Sequence, residues 1–288
     1  MAKTVHGRRR HAIGSGGRCI VKRGVLGLMV AVFVLNLDRD QDRRAWMEVE
    51  LGRIGLPFER LPGVLGRAVP PDIVPYLAAA MADPNAPLKP GEIGCWASHL
   101  AALQKVVERQ LPCALILEDD VECGPTLMPA LAALDRLPQG WGMVRLAWTS
   151  KRHVVPVLDL ARGAGLVKFS RLPLGAAAYL ISHQGAVNVL KSAALGREPI
   201  DLAWRSWWRY GLQTYGVSPA PIRQNIFDQS SIESLGERGT FVHNRHTPAA
   251  LMRNRLNRLH GWAAQMRFLG PMAWTESAVR NLTKTARQ

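Results

Sequence analysis

Three carboxylates stand side by side at Glu118-Asp119-Asp120, directly after the apolar run 114–117 and shortly before Glu122. A run that apolar reads as a buried strand. In open α/β sheets, ligands bind at the carboxyl ends of the strands. Adjacent like charges repel unless water solvates them or a cation neutralises them. Two chemistries therefore fit: a solvated acidic turn, or a Mg²⁺ or Mn²⁺ site in which one or two carboxylates share the ion with substrate phosphates. Residues two apart on an extended segment point the same way. Glu118 and Asp120 can thus converge while Asp119 points elsewhere.

The elements that must position these acids follow from the hydrophobic pattern. Residues 31–37 form a short, continuous apolar run, read as a buried strand. The longer stretch 25–37 stops at Asp38 after 13 residues, short of the ~20 that a membrane-spanning helix needs. It also lacks the small-residue cleavage site of a signal peptide. Residues 41–54 have helical spacing, with Gly55 as the C-cap. A second strand is expected at 57–61. A Pro-, Gly- and Ala-rich loop over a site follows at 62–90, with one short helical piece at 73–81. Helices are expected at 92–110, 126–137 and 184–195. Further strands are expected at 143–148, 176–181 and 212–217, and a hairpin at 154–169. Strands and helices alternate, so the class is α/β with a mostly parallel central sheet.

Charge divides the chain in three. There are 37 Lys and Arg against 22 Asp and Glu, a net charge of +15. Residues 1–23 hold seven basic residues and no acid, and residues 245–288 hold eight against Glu276 alone. The body between them is almost neutral. We expect a basic, disordered extension over 1–28, a catalytic body over 29–244 and a basic amphipathic helical tail over 245–288. A chain that is 48% hydrophobic is not globally disordered. Four cysteines without CxxC or Cys/His spacing exclude a disulfide scaffold and a structural zinc module. They fit a reducing compartment. In the tail, Met252, Leu256, Leu259, Ala263, Met266 and Leu269 recur at helical spacing among arginines, with Trp262 beside them. That pattern reads either as a helix on an anionic membrane surface or as a last helix packed on the body with a solvated Arg face.

Four segments occur in a particular order: Val32-Phe-Val-Leu-Asn36-Leu-Asp38-Arg39, Gly91-Glu92-Ile-Gly94-Cys95-Trp-Ala-Ser98-His99, Leu115-Ile-Leu-Glu118-Asp119-Asp120 and Leu174-Gly175-Ala-Ala-Ala-Tyr179-Leu-Ile181-Ser182. Over residues 30–235 this order resembles glycosyltransferase family 25, which holds lipooligosaccharide galactosyltransferases and collagen galactosyltransferase domains. The resemblance implies a GT-A-like nucleotide-sugar-binding fold. It implies transfer of a hexose, galactose first, from a UDP-sugar to a hydroxyl of a lipid-linked saccharide in lipopolysaccharide biosynthesis. Asp120 then matches the ligand of Mn²⁺ (or Mg²⁺) on the donor pyrophosphate, and Glu118 the acid near the donor ribose.

The resemblance also bears on the other polar residues. Asn36 and Arg43 would face base or phosphate, or else serve capping and surface charge beside Asp40 and Asp42. Ser98 and His99 match a substrate-side pair, although a helical His packs in cores and a helical Ser bonds back within its helix. Asp201 matches the acid that takes the acceptor proton, with Asp228 second, or it caps a helix. Gln224–Ser231 resembles the family's closing segment and reads as a donor-site loop that includes Ser231, and His243 is a late metal-ligand candidate. Trp204, Trp207 and Trp208 would stack a sugar, fill the core or form an interfacial belt. The expected location is the cytoplasmic face of a bacterial inner membrane, held by the basic helix. No nucleic-acid partner is expected. The rival readings are a polyanion- or nucleic-acid-binding protein driven by the tails, and an inactive relative that binds the sugar nucleotide.

Overall fold

The computed structural model describes residues 30–82, 88–149, 153–192, 195–224, 227 and 248–285. The expected extension 1–28, Asp228, Ser231 and His243 lie outside the described residues. The described residues form ten strands, with helices between most of those in the first half and four strands in succession from the fifth. They are β1 (Ala31–Asn36), β2 (Glu59–Pro62), β3 (Cys113–Glu118), β4 (Val121–Cys123), β5 (Met143–Arg145), β6 (Val154–Ala161), β7 (Ala164–Phe169), β8 (Ala178–Ser182), β9 (Thr214–Ser218) and β10 (Ile222–Gln224). The helices are α1 (Gln41–Arg53), α2 (Val74–Ala82), α3 (Pro90–Glu108), α4 (Leu127–Ala132), α5 (His183–Leu190), α6 (Ile200–Ala203), α7 (Pro248–Leu269) and α8 (Pro271–Thr285). A 3-10 helix, Trp204–Tyr210, continues α6.

Eight strands form one sheet in the order β2-β1-β3-β8-β5-β9-β7-β6, and β10 pairs with β4 in a small second sheet. The pairings β2–β1, β1–β3 and β5–β9 are parallel, and those of β3–β8, β8–β5, β9–β7 and β7–β6 are antiparallel. Tracing direction through these pairings, β8 and β7 run against the other six. The sheet is α/β in class and GT-A-like, mixed in its ladders and mostly parallel in direction. Its consequence for the site is direct. The ends of β1 and β3 and the start of β8 open on one edge.

The burial pattern explains why the central strands are apolar throughout. β1 is buried at all six positions. Phe33 and Leu35 join Ile116, Trp96 and Leu100 on the face covered by α3, α5 and α6. Val32 and Val34 join Leu115, Leu117, Met47 and Leu51 on the face covered by α1 and α4. A strand buried on both faces cannot alternate apolar with polar.

The C-terminal residues form two helices, and both pack on the body. α7 lies against the 3-10 helix, and α8 lies against β6. Phe268 sits 5.0 Å from Trp207 and 5.2 Å from Tyr215, with Lys168 Nζ 4.5 Å from its ring. Buried Ser277 meets His153 Nδ1 at 2.8 Å. Among the described residues, no helix is long and apolar enough to cross a membrane.

Candidate active site

A cleft of about 910 Å³ opens at the carboxyl edge of β1 and β3. Asn36, Arg43, Ser98, His99, Glu118, Asp120 and Asp201, separated by as many as 165 positions in the sequence, all line it. Glu118 ends β3, and the strand's last inter-strand step places its N–H on Ala177 O at 2.7 Å. Its carboxylate is then fixed from two sides. Gln224 Nε2 donates to Oε2 at 3.0 Å, and His99 Nε2 stands 3.4 Å from Oε1.

Asp119 and Asp120 do different work. Asp119 does not point elsewhere as expected: β3 ends at Glu118, residues 119–120 form a turn, and Asp119 lines the same cleft as its two neighbours. It accepts from Asn36 Nδ2 at 2.7 Å and from Arg43 Nη1 at 3.1 Å. Burial pushes its carboxyl up, and those two donors pull against it. Asp120 is also buried, yet its Oδ1 has no hydrogen-bond partner among the described residues. Burial first, and then the charge of Glu118, raise its carboxyl to about 7, opposed by Arg43 at 3.9 Å. A buried acceptor without a donor, next to a second carboxylate, fits a cation. These oxygens suit Mg²⁺ or Mn²⁺. A softer donor set overlaps them: Cys95, His99 and Glu118 offer ligand atoms within 4.8 Å of one another, a mixture suited to zinc.

Asn36 and Arg43 line the cleft while tying its floor together. Asn36 Nδ2 also donates to Asp40 O at 3.0 Å, and its Oδ1 accepts from Arg60 Nε at 2.8 Å. Arg43 lies 5.0 Å above the Phe227 ring. His99 is fully buried, with Nδ1 2.9 Å from the Tyr179 hydroxyl and its ring stacked on that tyrosine. The Tyr179 contact orients the imidazole so that Nε2 addresses Glu118.

Ser98 bonds back to Gly94 O at 2.8 Å, and it also accepts from Val64 N at 2.8 Å. It therefore staples the loop after β2 onto α3. The glycine of the Gly-Cys pair has the same purpose, since a Cβ on Gly94 would lie 2.4 Å from Val64 O.

Asp201 occupies the first turn of α6, after Pro199 as N-cap, with Oδ1 accepting from Leu202 N at 2.8 Å. Trp96 Nε1 donates to Glu198 O at 2.8 Å, so α3 holds the wall that carries Asp201. Trp204 and Trp207 are buried in the core, where Trp204 packs on Trp96, Tyr179 and Tyr210. Trp208 instead lines a second cavity.

Sequence reasoning put Gln224 in a donor-site loop without its bond to Glu118, missed Arg60 and Tyr179 as partners, and missed Arg145 altogether. Arg145 ends β5 fully buried, with Nε and Nη1 unpaired among the described residues. Burial pulls its guanidinium down to about 10, against the negative field of Tyr179, Glu118 and Asp201. Gly175, at φ +100°, lies over it, and a Cβ there would sit 3.4 Å from Nη2. A lone arginine inside Met143-Val-Arg-Leu-Ala was the available signal.

Residues 29–204 match the family described as glycosyltransferase family 25 (LPS biosynthesis protein). A "Glycosyltransferase 25 family member" of Aedes aegypti is 31% identical over 185 residues, covering 59% of this chain and 29% of its own length. "Procollagen galactosyltransferase 2" of Homo sapiens is 28% identical over 183 residues, with the same coverage. A "Putative glycosyltransferase" of Haemophilus influenzae is 26% identical over 176 residues, covering 59% of this chain and 60% of its own. The matched stretch thus spans under a third of the first two relatives. The fold and its acid-lined cleft fall within the glycosyltransferase class. Within that class the chain belongs to glycosyltransferase family 25.

Proposed function

We propose that this chain transfers a hexose, galactose first, from a UDP-sugar to a hydroxyl of a lipid-linked saccharide, as in lipopolysaccharide or lipooligosaccharide assembly. The observation that carries the reading is the buried, unpartnered Asp120 Oδ1 beside Glu118 on the cleft. Asp120 and Glu118 would hold Mn²⁺ or Mg²⁺. The ion, when bound, supplies Lewis-acid neutralisation of the leaving nucleoside diphosphate. The protein's own residues supply the rest. Asp119, clamped by Asn36 and Arg43, fixes the turn that presents Asp120. Gln224 and His99 hold Glu118 in place. Asp201 accepts the proton of the acceptor hydroxyl as the sugar transfers.

Turnover of UDP-galactose, UDP-glucose and UDP-N-acetyl sugars with Mn²⁺ and then with EDTA tests this. Galactose transfer or hydrolysis should be fastest, vanish in EDTA and return with Mn²⁺. Full turnover in EDTA would sink the cation, and no turnover with any donor would leave an inactive relative.

The setting at a bacterial inner membrane, on its cytoplasmic face, belongs to the same proposal. The support is the way α7 sits. It docks through Gly261, Gln265 and Phe268, and leaves Met252, Leu256, Leu259 and Met266 at 59%, 49%, 54% and 45% exposure. Of the apolar stripe that a packed last helix would bury, Leu269 is buried and the rest faces outward, flanked by exposed Arg255 and Arg267. Such a face suits an anionic lipid surface. The chain should sediment with vesicles rich in phosphatidylglycerol and not with phosphatidylcholine alone. At ~1 kcal/mol per basic residue, Arg255→Gln with Arg267→Gln should weaken binding roughly 30-fold. Equal binding to both vesicles would rule out the electrostatic part.

A further inference from the structure

A second cavity, about 850 Å³, lies between the 3-10 helix and the two C-terminal helices. Arg171, Arg205, Arg209 and Arg258 line it against one acid, Glu198. Arg209 stands 3.5 Å from Glu198 and pairs with it. Beyond that pair, Arg171, Arg205 and Arg258 are basic members of a lining that holds no second acid. Trp208, Trp262 and Trp274 line it as well. The Trp208 indole is set by close approach, since a Cβ on Gly261 would lie 2.7 Å from it. Glycine costs a helix interior about 1 kcal/mol relative to alanine. Its presence in the middle of α7 is explained by that contact.

The position of this cavity is its second informative feature. Glu198 and Leu202 line it, while Pro199, Ile200 and Asp201 between them line the acid-bearing cleft. A single turn of chain is the shared wall, and Trp96 pins that wall through Glu198 O. Arg205 follows Asp201 by four residues, on the 3-10 helix that continues α6.

We infer that this second cavity is the acceptor's anionic-sugar subsite, binding a carboxylate- or phosphate-bearing sugar that adjoins the reacting residue. The inference rests on the transferase reading and names the acceptor class for it. Planar guanidinium groups match carboxylate and phosphate oxygens. Indole faces take the apolar faces of sugar rings. A nucleic-acid strand would call for a groove tracking a backbone with aromatics spaced for successive bases, whereas these arginines and tryptophans gather round one partly open cavity. The lipid-facing stripe of α7 points away from it, so the two features do not compete for one ligand. The cavity is completed by α7 and α8, beyond the family match at residue 204. Acceptor choice is then set by a part of the chain that lies outside the matched region.

Calorimetric titration of the full chain tests the subsite with trigalacturonate, mannose 6-phosphate, maltotriose, inorganic phosphate and an oligothymidylate. Trigalacturonate or mannose 6-phosphate should bind at least about tenfold more tightly than maltotriose. Whichever binds identifies a carboxylate or a phosphate as the anion. Arg205→Gln with Arg258→Gln should cost about tenfold or more, and Trp262→Ala, on an exposed position of α7, should also weaken binding. UDP binding with Mn²⁺ should be unchanged in both variants, which shows that the donor cleft is intact. Equal binding of maltotriose, equal binding of phosphate or oligothymidylate, or variants that bind as the parent does would each overturn the inference. Sugar binding that fails while UDP binds refutes the subsite alone. UDP that fails to bind the parent chain refutes the transferase reading itself.

Discussion

Replacing Asp120 by asparagine should lower Mn²⁺-supported turnover by about a thousandfold, the scale of several kcal/mol of lost charge stabilisation at a metal-assisted step. Asparagine keeps the shape and one carbonyl oxygen but removes the charge that would hold the ion. The same substitution should stabilise the cation-free protein at alkaline pH. Asp120 ordinarily has a carboxyl pKa of 3.8, and the folded chain raises it to about 7 through burial and the neighbouring charge of Glu118. Below the lower value both folded and unfolded chains hold the proton, and Asp120 contributes no pH dependence. Between the two values the folded chain binds more protons than the unfolded one, so stability falls as pH rises. Above about 7 the destabilisation is complete.

Thermal midpoints measured from about pH 5 to pH 8 in EDTA should therefore decline more steeply for the parent than for Asp120→Asn. Asp119 is also shifted upward, but it is present in both proteins, so the difference isolates Asp120. Mn²⁺ binds the deprotonated carboxylate and should restore the parent's midpoint most at the alkaline end. Parallel pH profiles, or a variant with parental turnover, would remove Asp120 from the cation's shell.

The elements behind this prediction were legible where burial leaves a periodic mark. β1, β3 and β8 are continuous apolar runs because both faces of the sheet are covered, and α3 carries Trp96, Leu100 and Leu103 at helical spacing because one side meets the core. Element ends shifted where local bonding decides. The helix expected over 126–137 divides into α4 and a 3-10 turn at Leu134–Arg136. The strand expected over 143–148 stops at Arg145. β4 and β10, three residues each, carry too few positions for a pattern, yet their pairing delivers Gln224 to Glu118.

The site was legible in part for the same reason. Adjacent acids after a buried strand announce an edge, but strand alternation stops with β3 at Glu118, and the turn brings Asp119 into the same cleft. Which groups hold them could not be read, because Asn36–Asp119, His99–Tyr179 and Gln224–Glu118 are separated by 83, 80 and 106 positions. Spacing along a chain carries no information about such contacts. The tail was legible only as a helix: its apolar stripe has helical spacing whether it faces a core or a membrane, and α7 docks through its other side while most of the stripe stays exposed.

Asp201→Asn should reduce kcat for transfer by about 10²- to 10⁴-fold, the range of a lost general base. Affinity for UDP and Mn²⁺ should stay as in the parent. The separation follows from where the residue sits. Asp201 lines the same cleft as Asp120 but is carried by α6, a short element pinned from α3 through Trp96 and Glu198, away from the strand edge that bears the acids. Its Oδ1 accepts the Leu202 N–H, which an asparagine Oδ1 can also do, so the turn should persist. What the asparagine cannot do is accept the acceptor's proton. The acidic limb of the pH–rate profile for transfer should therefore disappear along with the rate. A merely structural role would instead raise the donor's KM or lower the melting temperature, with the limb intact. If Asp201→Asn keeps the parental rate and Asp228→Asn loses it, the proton goes to Asp228, and the wall between the two cavities positions the acceptor without taking part in the chemistry.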